Sequence, residues 1–151
     1  MNALKFSQIK TIKTFCEDLH SQPYYREVVE NMAACCTDFE VDNVRFIADS
    51  HILETMAGEI FSDNHMLGCF NASFIADNSD LPIELIEPCQ ECEAFEAIGK
   101  ALNNTLTQEE KEAFCEEYAS ADGYGHHFNG YDFSEDEIAV NGVLYHVFDN
   151  R

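Results

Sequence analysis

Apolar side chains recur at helical spacing over most of the first 120 residues. One stripe follows Ser7, a second follows Pro23 and extends to about Cys36, and a third covers about His51 to Phe61. Residues three and four positions apart share one face of an α-helix. Each stripe therefore predicts an amphipathic helix with one buried side.

Three segments before residue 90 differ in character. Residues 39–47, FEVDNVRFI, fit either a short strand or a loop. The stretch MLGCFNASFI after Asp63 contains no charged side chain, which predicts the central and most buried helix. A short helical turn is predicted from Asp80, and Pro88 is predicted to interrupt it because proline removes a helix hydrogen bond.

Two helices are predicted between Cys92 and Ser120. The first has an apolar stripe that ends at Leu102, and the second begins at a capping box formed by Thr107 and Glu110. In a capping box, the threonine hydroxyl and the glutamate carboxylate each accept a hydrogen bond from a free backbone N–H group. The second helix is therefore expected to begin at Thr107.

The periodicity changes from helical to alternating after this helix. Aromatic and histidine side chains alternate in GYGHHFNGYD, residues 123–132, and an Asn-Gly pair at 141–142 then separates two apolar runs. Both residues of such a pair tolerate positive φ, so the pair predicts a β-hairpin. On a strand, His126 would face the edge of the core and His127 would face outward, so the two could not bind one metal ion. His146, on the other arm, could approach one of them.

The sequence thus predicts an α+β fold in a predominantly helical single domain over residues 1–151. The helical body is expected at about 7–120. A small C-terminal antiparallel β-hairpin or three-stranded sheet is expected at about 123–149.

Composition and the first residues together predict the cellular compartment of the protein. It has 151 residues, 46% of them apolar, and no apolar run near the roughly 20 residues of a membrane span. The first residues, MNALKFSQIK, lack the features of a secretory signal, so we expect a cytoplasmic protein with no membrane partner. Seven cysteines then predict reduced thiols, with Cys16, Cys69 and Cys115 buried as small apolar side chains.

Candidate chemistry is sparse. The sequence contains no phosphate-binding glycine loop, HExxH zinc helix or GxSxG nucleophile turn, so it predicts neither an enzyme nor a cofactor. Cys89 and Cys92 form the one CxxC pair and are the candidate metal ligands. A structural zinc site usually needs a second pair of ligands.

Charge is the dominant feature of the chain. There are 29 acidic side chains against eight basic ones, a net charge of −21, and residues 31–151 contain 25 of the acids and four of the bases. DNA, RNA and anionic lipids are bound through lysine and arginine, so direct binding of these molecules is excluded and a basic partner is expected. Carboxylates that recur along the predicted helices and before the hairpin are the expected contact residues: Glu84, Glu87, Glu91, Glu93, Glu96, Glu109, Glu112, Glu116, Glu117, Glu135, Asp136 and Glu137.

In size, acidity and lack of catalytic motifs, residues 31–151 resemble the small DNA-mimic inhibitors of phages and plasmids, which act on restriction enzymes, CRISPR complexes and other host nucleic-acid machinery. The resemblance is one of composition and assigns no role to a single position. It implies a non-catalytic anti-defence protein in the cytoplasm of a bacterial host. Such a protein occupies the basic groove of a nucleic-acid-binding protein because its carboxylates imitate phosphates.

Two other interpretations remain open. A cytoplasmic adaptor or regulator could dock a basic partner without imitating DNA. A regulatory protein could instead be stabilised by zinc at Cys89 and Cys92. The sequence does not decide whether the chain forms a homodimer.

Overall fold

The computed structural model describes residues 4–150, which form an α+β fold that is mostly helical, as predicted. The chain divides into two compact units. The sheet unit comprises the residues up to Ile52 and those from Ala121 onward, and the helical unit is Leu53–Ser120. That the chain is one domain over 1–151 stays a prediction.

The elements in chain order are α1 (Phe6–Asp18), α2 (Tyr25–Ala33), β1 (Asp38–Val41), β2 (Val44–Ala48), a 3₁₀ helix (Asp49–His51), α3 (Ile52–Ile60), α4 (Asn64–Gly68), α5 (Ala72–Asp77), α6 (Ile83–Glu91), α7 (Phe95–Thr105), α8 (Gln108–Asp122), α9 (Gly125–Phe128), β3 (Asp136–Val140) and β4 (Val143–Asp149).

Two tight hairpins build the antiparallel sheet, whose strand order is β1-β2-β4-β3. Asn141 and Gly142 join β3 to β4 with φ values of 54° and 79°, which confirms the predicted hairpin. Asp42 and Asn43 join β1 to β2 with φ values of 51° and 67°. Positive φ at both central residues is the geometry of a type I′ turn. Residues 39–47 are therefore a second hairpin inside the predicted helical body, and the sheet has four strands rather than two or three.

The two faces of the sheet bury different side chains. On one face, Phe46 of β2 stacks on Phe39 at 4.9 Å between ring centroids, in a core that also contains Ile12 of α1 and Val28 of α2. Side chains alternate along a strand, so His146 of β4 lies on the other face, between the core residues at 145 and 147.

A short helix replaces the first of the predicted strands. Residues 125–128 form α9, and Phe128 packs on Phe148 of β4 at 5.0 Å between ring centroids. The buried Asn129 side chain donates hydrogen bonds to Asp132 Oδ1 and the Ser134 carbonyl oxygen, and these local bonds bend the chain instead of extending it. The alternating pattern over 123–132 was therefore misleading.

The predicted central helix is broken at Asn71 in the helical unit. The Asn71 side chain accepts hydrogen bonds from two backbone N–H groups and so caps α5, which separates it from α4. Met66 is 61% exposed and Cys69 is also exposed. The prediction that this segment is the most buried helix was wrong, and so was the prediction that Cys69 is buried.

Two glycines allow α4 and α7 to touch through their backbones. A Cβ atom on Gly68 would lie 2.0 Å from the Phe95 carbonyl oxygen, and one on Gly99 would lie 2.0 Å from the Asn64 carbonyl oxygen. Both distances are far below van der Waals contact, so only glycine fits at either position.

The remaining helix boundaries follow local signals. Pro88 lies inside α6 and does not interrupt it, contrary to the prediction. The capping box at α8 is confirmed, with Glu110 N donating to Thr107 Oγ1 at 3.2 Å and Thr107 N donating to Glu110 Oε1 at 3.0 Å. Aromatic rings from α5 and α8 then form the centre of the helical unit, where Phe114 lies 4.9 Å from Phe74.

Candidate functional site

The predicted contact residues of α8 stand on its solvent side. Glu109, Glu116 and Glu117 are exposed, and Glu112 is half-buried. Phe114 and Cys115 bury the opposite side of the helix. The 15 residues of α8 contain six carboxylates and one lysine. At the helical rise of about 1.5 Å per residue, this gives roughly one carboxylate per 4 Å of axis.

Helix α6 presents two parallel stripes to solvent. Glu84, Glu87 and Glu91, three and four positions apart, are exposed and share one side of the helix. Leu85, which is 52% exposed, begins a second stripe that continues through the exposed Pro88 and Cys92. An apolar strip therefore runs beside an acidic one on the same helix.

Glu93 and Glu96 occupy the connection from α6 to α7. Glu93 has φ of 62°, in the left-handed region that usually ends a helix, so its side chain leaves the line of α6. Glu96 lies in the first turn of α7 and forms an exposed ion pair with Lys100 at 3.8 Å. Exposed pairs of this kind contribute at most about 1 kcal/mol.

The two units differ in charge. Residues 53–120 contain 15 carboxylates and two lysines, a net charge of −13, whereas the remaining residues contain 14 carboxylates and six bases, a net charge of −8. One of the two lysines, Lys111, places its ammonium group over the ring of Phe61 at 5.4 Å. The helical unit is therefore the more acidic of the two, and cations are few on it.

The thiols divide into buried and exposed groups. Burial, with Glu17 adding, raises the pKa of Cys16 to about 11. Burial, with Glu112 adding, raises the pKa of Cys115 to about 12. Thiolates are the reactive form of cysteine, so both residues are structural rather than reactive. Both are buried as predicted.

Cys89 and Cys92 lie at the end of α6, with Cys89 half-buried and Cys92 exposed. The Cys92 Sγ atom is 3.4 Å from the Cys89 carbonyl oxygen. Within residues 4–150, these two thiols belong to no group of three ligand atoms that lie within 4.8 Å of one another. A structural zinc ion usually needs four ligands, so zinc binding at Cys89 and Cys92 stays a prediction.

The acidic run before the hairpin is divided between two places. The carboxylates of Glu135 and Glu137 approach the ring of His146, with Glu137 directly opposite His146 in the strand register. Asp136, between them, lines a different feature, a cleft that also contains Asp132 and Asp149. Successive side chains of an extended segment point to opposite sides. Glu135 and Glu137 therefore point to the same side, and Asp136 between them points to the other.

That cleft has a volume of about 440 Å³ and four aspartates in its wall. Burial, with the charges of Asp149 and Asp132 adding, raises the pKa of Asp136 above its ordinary value. Ser21 stabilises the Asp149 carboxylate through its backbone N–H at 3.1 Å and through its hydroxyl. The complete lining is Asp18, Leu19, His20, Tyr131, Asp132, Ser134, Asp136 and Asp149.

His146 is a buried imidazole next to this acidic run. Its side chain is 6% exposed, and its ring lies 5.0 Å from the ring of Tyr124. The Nε2 atom is 2.8 Å from Asp49 Oδ1, and the Nδ1 atom is 3.2 Å from Glu135 Oε2 and 3.8 Å from Glu137 Oε1. Three carboxylates therefore surround one imidazole.

The predicted histidine positions are reversed. His126 is exposed, and His127 is half-buried against Phe128 at 4.6 Å between ring centroids. The reason is that these residues lie on α9 and not on a strand, so the alternating sides that the sequence predicted do not apply.

Sequence reasoning missed Asp49, which lies 97 positions before its partner His146. No local pattern indicates such a pairing. One signal was available for Glu135 and Glu137, because two glutamates separated by one residue fall on one side of an extended segment, here the one that leads into β3 beside β4.

No protein-family model matches this sequence, and neither curated proteins nor solved structures give a match. No helix within residues 4–150 has the length and apolar character needed to cross a bilayer. Function has to be inferred from the residues themselves.

Proposed function

We propose that this protein is a non-catalytic, acidic inhibitor that occupies the basic groove of a nucleic-acid-binding protein, in the manner of the DNA mimics of phages and mobile elements. The observation that supports this most directly is the row of exposed carboxylates on α8. On this proposal the protein is bacterial-cytoplasmic, contacts no nucleic acid itself and needs no cofactor.

The charge spacing on α8 resembles that of a nucleic-acid strand. One DNA strand has one phosphate per roughly 3.4 Å of axis. The four predicted contact glutamates of α8 lie between Glu109 and Glu117, eight positions or about 12 Å apart, which gives a mean interval of about 4 Å between carboxylates. Lysines and arginines spaced to bind phosphates therefore find carboxylates at a similar interval along a rigid support, and the pairing should weaken with salt.

Apolar groups beside the acids would add affinity that salt does not remove. Leu85 is 52% exposed next to the acidic stripe of α6, and Tyr131 and Phe133, near the acidic run of the hairpin, are 61% and 55% exposed. Exposed aromatic and aliphatic side chains of this kind are common anchors in protein interfaces. The apolar stripe on α6 is also the observation that favours the alternative function, an adaptor that docks a basic partner without imitating DNA.

The test is capture of partners from a bacterial lysate with four forms of the tagged protein: wild type, two triple variants and Leu85→Ser. The first variant is Glu109→Lys, Glu116→Lys and Glu117→Lys on α8. The control variant is Glu17→Lys, Glu30→Lys and Glu40→Lys in the sheet unit. Each variant changes the net charge from −21 to −15, so the two differ only in where the charge is removed. Circular dichroism establishes that both are folded.

We expect wild type and the control variant to retain a nucleic-acid-binding protein that moderate salt elutes and added DNA displaces. The α8 variant should lose it. Equal retention by both variants would remove α8 from the interface. A partner that resists salt and DNA, and that is lost on Leu85→Ser instead, would favour the adaptor.

A further inference from the structure

We propose that Glu135, Glu137 and His146 form a binding site for one divalent first-row transition-metal ion, with Asp49 orienting the imidazole. This site is independent of the acidic helices and of the inhibitor proposal. It lies wholly within the sheet unit, where the end of the loop before β3 meets β4.

The ligand atoms are already close together. One nitrogen of His146 and one carboxylate oxygen from each glutamate all lie within 4.8 Å of one another. Nδ1 is 3.2 Å from Glu135 Oε2 and 3.8 Å from Glu137 Oε1. Nitrogen and oxygen ligands that sit at about 2.0–2.2 Å from one ion are about 3.0–3.5 Å apart, so both glutamate oxygens are within a few tenths of an ångström of the distance from Nδ1 that a shared ion requires.

Asp49 contacts the ring nitrogen of His146 that points away from the two glutamates. The His146 Nε2 atom is 2.8 Å from Asp49 Oδ1, so an N–H at Nε2 donates to that carboxylate. The Nδ1 lone pair then faces the two glutamates. Histidines that bind metals generally donate their other ring N–H to a carboxylate or carbonyl, which fixes the tautomer and the ring orientation.

The two glutamates converge on an atom that can satisfy only one of them. Nδ1 has at most one proton, and that proton can make a good hydrogen bond to Glu135 at 3.2 Å but not also to Glu137 at 3.8 Å. The meeting of two carboxylates in a chain of net charge −21 costs electrostatic energy. A divalent cation between them offsets that cost and uses all three ligand atoms.

The ligand types select the class of ion. One imidazole nitrogen with two carboxylate oxygens suits manganese, cobalt or zinc, whereas calcium and magnesium prefer all-oxygen sites. The His146 side chain is 6% exposed and that of Glu137 is 56% exposed. The ion would therefore be held from the protein side, with water completing its coordination on the open side.

The test measures Mn²⁺ binding by the loss of the free Mn²⁺ signal in electron paramagnetic resonance. Manganese is chosen because thiolates bind it poorly, so the seven cysteines do not compete. The variant is Glu135→Gln with Glu137→Gln. Its matched control is Glu84→Gln with Glu87→Gln, which removes two charges from an acidic pair on α6.

We expect wild type and the control to bind one Mn²⁺ at least tenfold more tightly than further ions, and the Glu135→Gln, Glu137→Gln variant to lose that tight site. Asp49→Asn should weaken it about tenfold or more without lowering the melting temperature of the metal-free protein to the same degree. Binding that is weak and equal in all four proteins would overturn the proposal. The three carboxylates would then hold the imidazole ring in place without a metal ion.

Discussion

The sheet unit and the helical unit use their carboxylates differently. In the sheet unit, the carboxylates of Asp38, Asp49 and Asp149 bind Arg45, His146 and Ser21, respectively. In the helical unit, exposed glutamates stand in rows on α6 and α8 with two lysines in the whole unit. The first arrangement holds a fold together, and the second works against stability, since like charges four positions apart on a helix repel each other.

This difference shows that a high acid content need not have one explanation. Carboxylates with hydrogen-bond donors have an evident structural role. On α8, Glu110 caps the helix, whereas Glu109, Glu116 and Glu117 stand exposed on its solvent side, and a binding partner is the better explanation for these three. The comparison can be tested by substitutions that act on one unit at a time.

The largest expected effect is loss of a core aromatic ring from either unit. Phe114→Ala should lower the free energy of unfolding by about 3–5 kcal/mol, because Phe114 is 1% exposed and packs against Phe61 and Phe74. Phe46→Ala in the sheet unit should cost a similar amount. Urea unfolding measures both values. The labelling rates of the buried thiols Cys115 and Cys16 then report on each unit separately, and a loss below about 1 kcal/mol would contradict the core assignment.

A smaller but specific effect is expected at the contact between α4 and α7. Gly99→Ala should destabilise by about 3 kcal/mol, because its Cβ atom would meet the Asn64 backbone at 2.0 Å. Gly58→Ala is the control, since nothing lies within 4 Å of its Cβ position on α3. That change should stabilise by about 0.5–1 kcal/mol, as alanine does in a helix. Equal effects of the two substitutions in thermal unfolding would show that the helices do not touch as described.

Neutralising a hydrogen-bonded carboxylate of the sheet unit, that of Asp149, should lower the free energy of unfolding by about 1 kcal/mol. Asp149→Asn weakens the hydrogen bonds from the Ser21 backbone and hydroxyl, and the loss is limited because the repulsion between Asp149 and Asp136 falls at the same time. Urea unfolding at neutral pH measures the change. A variant as stable as wild type would mean that this carboxylate contributes nothing to the fold.

The smallest effect should have the opposite sign. Glu116→Gln on α8 should stabilise the protein by a few tenths of a kcal/mol, because it removes repulsion from Glu112 four positions earlier. The gain should shrink in high salt, which screens exposed charges. If Glu116→Gln destabilises instead, the distinction between the two groups of carboxylates is wrong.

Sequence alone located the elements whose signals are local. The capping box at Thr107 and the Asn-Gly turn at 141–142 each satisfy backbone groups within a few residues, and both were predicted correctly. The break at Asn71 had a local signal too, an asparagine that caps a helix, but the lack of charged residues across MLGCFNASFI favoured one continuous helix. Residues 123–132 failed because the buried Asn129 side chain, and not the alternating pattern, determines the bend.

The candidate metal cluster could not be predicted in the same way. Asp49 and His146 meet because β2 pairs with β4, a contact between residues 97 positions apart. The acidic helices were predictable as helices with exposed glutamates, because the sequence itself shows their charged residues and the helical spacing of their apolar residues. Which carboxylates bind another group and which stand in solvent depends on tertiary contacts, and the sequence does not contain these.

The two outer strands of the sheet have a further consequence. β1 and β3 each present unpaired backbone groups on one side, which in many proteins invites another strand to add and aggregation to follow. Here the outer strands carry Asp38 and Glu40 on one edge and Asp136 and Glu137 on the other, all exposed. A second copy approaching either edge would bring acid against acid, so the sheet should end at four strands. Any homodimer would have to form through a different surface.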